Sequence, residues 1–161
     1  MTSKKKRIFK IIAIVIIAGM LIGGGTILYM FNMPHRNVQN SDTDFSLNTS
    51  QMLAEYLSNV KAANEKYLSE DGDSKILEIT GTVASISENF NGQKVVLLKE
   101  ANDKAGVNCI FLKETGANAA KLKIGKTTTI KGSIMSGAAY DEDLELYENI
   151  ILDKCDVVIK K

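Results

Sequence analysis

The side chains that could do chemistry are few and scattered. His35 is the only imidazole in the 161 residues, and Pro34 beside it is the only proline. A histidine acting as general base needs a nucleophile within reach, and one binding zinc needs companion ligands. His35 stands in NMPHRNVQN, where an apolar run gives way to polar sequence, and has neither. Ser58 and Lys61 fit the S-x-x-K pattern of some serine acyl enzymes, but the partner motifs do not follow and both residues flank an apolar stripe. EDGDSK (70–75) and DEDLELYE (141–148) offer carboxylates of the kind calcium takes, without the twelve-residue spacing and closing glutamate of a calcium loop. Cys109 and Cys155 lack metal-type spacing. The expectation is a non-enzymatic protein with no catalytic site, no metal site and no cofactor.

The net charge of +1 hides a segregation. Residues 1–33 carry Lys4, Lys5, Lys6, Arg7 and Lys10 and no acid, so the rest of the chain sets fifteen cations against all 19 acids. A mildly acidic body argues against tight binding to a phosphate backbone, which takes clustered lysine and arginine. Residues 11–33 carry no charge at all. As a helix they would run roughly 34 Å, enough to span a bilayer core of about 30 Å. The expected layout is a basic tail (1–10) and a single-pass transmembrane helix (11–33). By the positive-inside rule the tail stays in the cytoplasm and the C-terminal domain lies across the membrane. Tyr29 and Phe31 suit the far interface; Pro34 stops the helix there, and His35 and Arg36 meet the headgroups. No cysteine near the end of the run offers a lipid-acceptor site, which favours an uncleaved anchor over a cleaved signal. Gly19 and Gly23 form a small-xxx-small pair, a candidate face for homo-oligomers through the helix.

Residues 34–48, rich in Asn, Asp and Ser, read as a polar linker. In 49–70, Leu53, Tyr56, Leu57, Val60, Ala63 and Tyr67 recur at three- and four-residue steps, predicting one amphipathic helix capped by Asn48 or Thr49 with Gln51 near its third position. From Lys75 the pattern turns extended. A long first strand carries Gly81 at a bend and a parity slip after Val83 that predicts a bulge. Asn91-Gly92 makes a turn into Lys94–Lys99. Val107, Cys109 and Phe111 share one face, a short helix ends at Gly125, and two more strands follow around an acidic loop at Asp141–Asp143. Five strands with a helix between the third and fourth describe a mainly β domain over 75–161, the five-stranded Greek-key barrel of the OB-fold, with the amphipathic helix before it. The third and fifth strands of such a barrel are neighbours. Cys109 and Cys155 are therefore open to two readings, a disulfide and a pair of small buried hydrophobes.

MPHRNV, AANEKYL, LEITGTV, GVNCIF, AAKLKIGKTTTIKG and ILDKCDVVI, spread over 34–161, resemble the bacterial membrane-anchored or lipoprotein-like proteins grouped as tRNA_anti-like. The resemblance implies the OB-fold and a proline-histidine-arginine junction after the anchor; the family name records likeness to anticodon-binding domains, not an activity. A place in the bacterial inner membrane follows, with an envelope protein or glycan as partner. The nucleic-acid alternative needs aromatics on strands two and three flanked by cations. Phe90, Lys94, Lys99 and Lys113 are the residues available for a ligand face, with Lys104 nearby. Phe111 shares parity with Val107 and Cys109 and so points inward, which leaves no stacking platform and makes nucleic acid the weaker expectation.

Overall fold

The computed structural model of the chain describes residues 3–32, 37–69 and 74–159, and in the first stretch the side chains of 15–29. It divides into two units, Met1–Arg36 and Asn37–Lys161. The first holds one helix, α1 (Ser3–Asn32). Its described side chains, including Tyr29, are exposed, and a Cβ at Gly19 or Gly23 would meet open space. The Thr26 hydroxyl donates to the Ile22 carbonyl at 2.7 Å, so α1 satisfies its own polar group. Among the described residues no helix is long and apolar enough to cross a membrane. The side chains of Lys4, Lys5, Lys6, Arg7, Lys10 and Phe31, and all of Pro34, His35 and Arg36, lie outside the described residues.

In the second unit a short 3₁₀ turn (Val38–Asn40) leads to β1 (Phe45–Asn48), α2 (Thr49–Ser58) and α3 (Val60–Tyr67). Then follow β2 (Ile76–Glu88), β3 (Lys94–Leu98), β4 (Val107–Phe111), α4 (Gly116–Ala119), β5 (Thr127–Ser136), the hairpin β6 (Tyr140–Asp141) and β7 (Leu146–Tyr147), and β8 (Ile150–Val157). The sheet order is β1-β2-β3-β4-β8-β5, and β5 also pairs with β2. Five strands thus close into the expected barrel, which leaves few open edges in a small domain. β2 serves both sides because it bends. Its first half pairs with β5 and its second with β3, and the register slips between Val83 and Ser85, where the parity slip lies. Gly81 stands at that bend because a Cβ there would lie 2.5 Å from Thr49 Cγ2 and 3.2 Å from Leu98 Cβ.

Residues 37–48 are not a free linker. β3 is short and leaves the first half of β2 with an unpaired edge; β1 fills it as a sixth, parallel strand, Phe45 opposite Leu77 and Asn48 opposite Thr80. Asp44 fastens the entrance: its N–H donates to the Ile76 carbonyl and its carboxylate accepts from the Ile76 N–H, both at 2.8 Å. Val38 is buried. Gln39 Nε2 donates to the Lys131 and Lys154 carbonyls, and Lys131 Nζ donates to the Ser41 carbonyl at 2.5 Å, laying the segment over the outside of β5 and β8.

The expected helix over 49–70 is two. Asn59 ends α2 and caps α3, its side chain accepting from the Ala62 N–H. Asparagine trades helical hydrogen bonds for this local one readily. The break places Ser58 and Lys61 in different helices, and Lys61 pairs with Glu65 in solvent. At the start of α2, Asn48 and Gln51 form the full capping box, as their spacing predicts. The two helices close one mouth of the barrel with Met52, Leu53, Tyr56, Ala63 and Tyr67, all within the main core.

Tyr56 is wholly buried and its hydroxyl has no hydrogen-bond partner among the described residues. Burial first, then Tyr67 and Glu55, push its phenol up to about 12. An unfolded tyrosine ionises near 10.0, so above that pH the unfolded chain releases a proton that the folded chain keeps. Stability from this group is full below pH 10 and falls as pH rises toward 12, by on the order of 2 kcal/mol. Tyr56→Phe is expected to be neutral or stabilising by about 1 kcal/mol at pH 7, and to lessen the loss above pH 10. Urea melts of both proteins at pH 7 and pH 11 measure it.

Candidate binding face

The chain covers most of the barrel with its own elements. The residues 37–48 lie over β5 and β8 and along β2, α2 and α3 close one mouth, and α4 packs on β8 and β3. The outer face of β3 and β4, strands two and three of the barrel, remains. In this fold that face and the loops joining strands one to two and four to five take ligands.

Pairing register gives its composition. Ser85, Leu97, Asn108 and Ile151 form one cross-strand row, and Ser87, Val95 and Ile110 the next. Their inward neighbours Val96, Cys109 and Leu152 are buried in the core, while Val95, Leu97, Asn108, Ile110 and Ile151 are half-buried. The two rows contain no charged residue and no aromatic ring. Sequence reasoning passed over them, although β3 reads KVVLL and is apolar on both parities, the pattern of a strand covered on both faces.

The loop joining barrel strands four and five carries the β6–β7 hairpin, with Asp141, Glu142, Asp143, Glu145 and Glu148 and no cation between Gly137 and Asn149. It abuts the start of β4: Asn149 Oδ1 accepts from the Gly106 N–H at 2.7 Å, and Lys104 Nζ lies 5.2 Å from the centre of the Tyr147 ring. Asp141 shapes the turn by accepting from the N–H groups of Asp143 and Leu144. Leu144, Leu146 and Tyr140 are exposed on it. The last strand therefore begins at Ile150, later than expected, because this hairpin takes up 140–147.

The residues expected to form a ligand face are only partly brought together. Phe90 is fully exposed at the tip of the turn between β2 and β3, a turn in which Gly92 has φ +73°. Lys94 begins β3 and pairs with Glu88 at 2.8 Å, holding the Glu88 carboxyl below its usual range through that hydrogen bond. Lys113 is exposed just past the end of β4, and Gln93 Nε2 donating to the Phe111 carbonyl ties that end to the turn. Lys99 is not with them. Val95 lies opposite Ile110 and Leu98 opposite Val107, so Lys99 sits at the other end of β3, roughly 17 Å from Lys94 at about 3.4 Å per residue.

Phe111 points into the core with Val107 and Cys109, as its parity predicts. Cys109 and Cys155 are both buried and both free in this structure. Burial first, then the neighbouring Cys109, pushes the Cys155 thiol well above its usual range, so it remains a protonated thiol at neutral pH. Among the described residues no group of three His, Cys, Asp or Glu side chains is placed to hold a metal ion.

The sequence profile of the tRNA_anti-like family matches residues 1–143. The match includes the N-terminal helix and ends before β8. No curated protein matches the chain. Among solved structures, a presumed nucleic acid-binding lipoprotein from Klebsiella pneumoniae is 18% identical with a TM-score of 0.53, over 79% of this chain and 100% of that one. Entamoeba histolytica asparaginyl-tRNA synthetase, in complex with asparaginyl-adenylate, is 17% identical with a TM-score of 0.36, over 54% of this chain and 21% of that one. The likeness to the Klebsiella protein speaks to the fold alone.

Proposed function

The chain belongs to the tRNA_anti-like family, and we propose from the half-buried apolar face of its sheet that it is a non-enzymatic binding module of the bacterial cell envelope. It is held at the inner membrane by residues 11–33 and takes a protein partner on the outer face of β3 and β4. The observation that carries this is the cation-free apolar strip of Val95, Leu97, Ile110 and Ile151 beside an acidic hairpin. Phosphates would meet carboxylates there, whereas an apolar protein surface rimmed by lysine or arginine fits both features. The charge-free run behind KKKR supports the membrane placement.

A photo-crosslinking residue at Leu97 or Ile110 of the full chain, in its native membranes, should trap one and the same protein. Lys131 on the covered side should trap none. Replacing Glu142, Asp143 and Glu145 by lysine should abolish the adduct. Adducts that ignore both position and hairpin charge would overturn the proposal.

A second reading rests on Phe90, bare at its turn tip with Lys94 and Lys113 at the same end of the sheet. The name of the Klebsiella protein points the same way. Single-stranded oligonucleotide binding at low ionic strength, where the electrostatic attraction is greatest, tests it. Binding that Phe90→Ala removes would replace the protein-partner proposal.

A further inference from the structure

The loop between α4 and β5 presents an aliphatic side chain to solvent and fixes it there. Leu122 turns inward against the core, while Ile124 is 66% exposed. Lys121, Lys123 and Lys126 around it are all exposed. The loop is tied to the bend of β2: Gly125 N–H donates to the Val83 carbonyl at 2.8 Å and Val83 N–H to the Lys126 carbonyl at 3.0 Å. Gly125 takes φ +80°, a conformation that other residues adopt at a cost, which lets the chain turn back after Ile124. A second bare aliphatic follows the end of β8, the strand beside β5. Val158 N–H donates to the Thr129 carbonyl, and continuing that pairing sets Ile159, 79% exposed, opposite Thr128. No acid occurs from Gly116 to Ser136. On the adjoining strands Glu100 accepts from Thr82 and Asp156 from Asn118, neutral donors that hold these carboxylates in place and leave their charge.

We propose that this patch, Lys121, Lys123, Ile124, Lys126 and Ile159, docks the barrel on an anionic lipid surface. An aliphatic side chain held out among lysines, with a second bare isoleucine at the end of the neighbouring strand, matches such a surface: the ammonium groups meet lipid phosphates while the isoleucines enter the acyl boundary. The patch has no aromatic ring on which a nucleobase would stack, and its charge is opposite to that of the β6–β7 hairpin. The inference rests on the membrane placement proposed above, and adds to it a lipid contact made by the barrel itself.

The test uses the full chain with Ile124→Cys carrying an environment-sensitive fluorophore; both native cysteines are buried. Leu144→Cys on the acidic hairpin is the control. Each is mixed with phosphatidylcholine vesicles, with or without phosphatidylglycerol, and floated. A blue shift at 124 and none at 144, seen only with phosphatidylglycerol and weakened by salt, is expected. Changing Lys121, Lys123 and Lys126 to glutamine should weaken the lipid contact by on the order of 100-fold. Flotation reports the anchor separately: a chain that fails to float with neutral vesicles speaks against the helix as a span, while the shift at 124 is still read with the anionic ones. Equal emission at 124 on both vesicle types, or equal shifts at 124 and 144, overturns the patch even where the chain floats with both.

Discussion

Phe111→Ala is expected to destabilise the barrel by about 3–5 kcal/mol, enough to unfold much of the protein. Phe111 is the largest side chain that β4 sends inward. It is fully buried among Val107, Cys109 and their neighbours, opposite Cys155 on β8. Removing the ring deletes the contacts and leaves a cavity that a closed barrel, hydrogen-bonded on both sides, cannot collapse to fill. Chemical denaturation of the variant measures the loss. Phe90→Ala is the matched comparison, since Phe90 is fully exposed and its removal should change stability by no more than about 0.5 kcal/mol. A small loss for Phe111→Ala would mean that the ring faces outward, and the stacking platform that its parity excludes would return.

Gly137→Ala is expected to cost about 3 kcal/mol and to loosen α2 and α3 from the barrel. A Cβ at this position would overlap the Tyr56 ring, 2.5 Å from Cζ, and would lie 2.8 Å from Asn64 Oδ1. Tyr56 is wholly buried and stacks on Tyr67 with ring centres 6.1 Å apart, so it cannot swing away without opening the mouth. Tyr67 in turn donates to Glu55 at 2.8 Å and packs edge-on against Phe45 of β1. The clash therefore reaches both helices and the added strand. A double-mutant cycle isolates it: in a Tyr56→Leu background, adding Gly137→Ala should cost under about 1 kcal/mol, because the overlapping ring is gone. Equal cost in both backgrounds would place the strain elsewhere. Hydrogen exchange across 49–67 reports the loosening.

Several features of the fold were legible because they are local. The slip in alternation after Val83 marks the bulge, since side chains in a strand repeat every two residues and one extra residue reverses the parity. Asn48 and Gln51 mark the helix start, since the two hydrogen bonds they exchange need only a three-residue spacing. The inward set Val107, Cys109 and Phe111 follows from the same alternation. The break at Asn59 had a signal in the residue type, outweighed by an apolar periodicity that runs through it. The separation of Lys99 from Lys94 was also available, since five residues of extended chain set their side chains at opposite ends of a strand.

The candidate face was harder to see because it is defined by what does not cover it. Residue order alone carries the charge-free run behind a basic tail, the order of barrel strands, the inward face of β4 and the acidic character of the loop before β8. These depend on composition and on neighbours a few residues apart. It took the packed chain to show that residues 37–48 form an added strand and a clasp over β5 and β8, and that Val95, Leu97, Ile110 and Ile151 line up as one half-buried strip on the outer face of the sheet. The fold alone ties the loop of Ile124 to the bend of β2. The physical reason is distance along the chain. β1 has a partner only because β2 bends away from β3 some thirty residues later, and a surface is open or covered only once every other segment has taken its place.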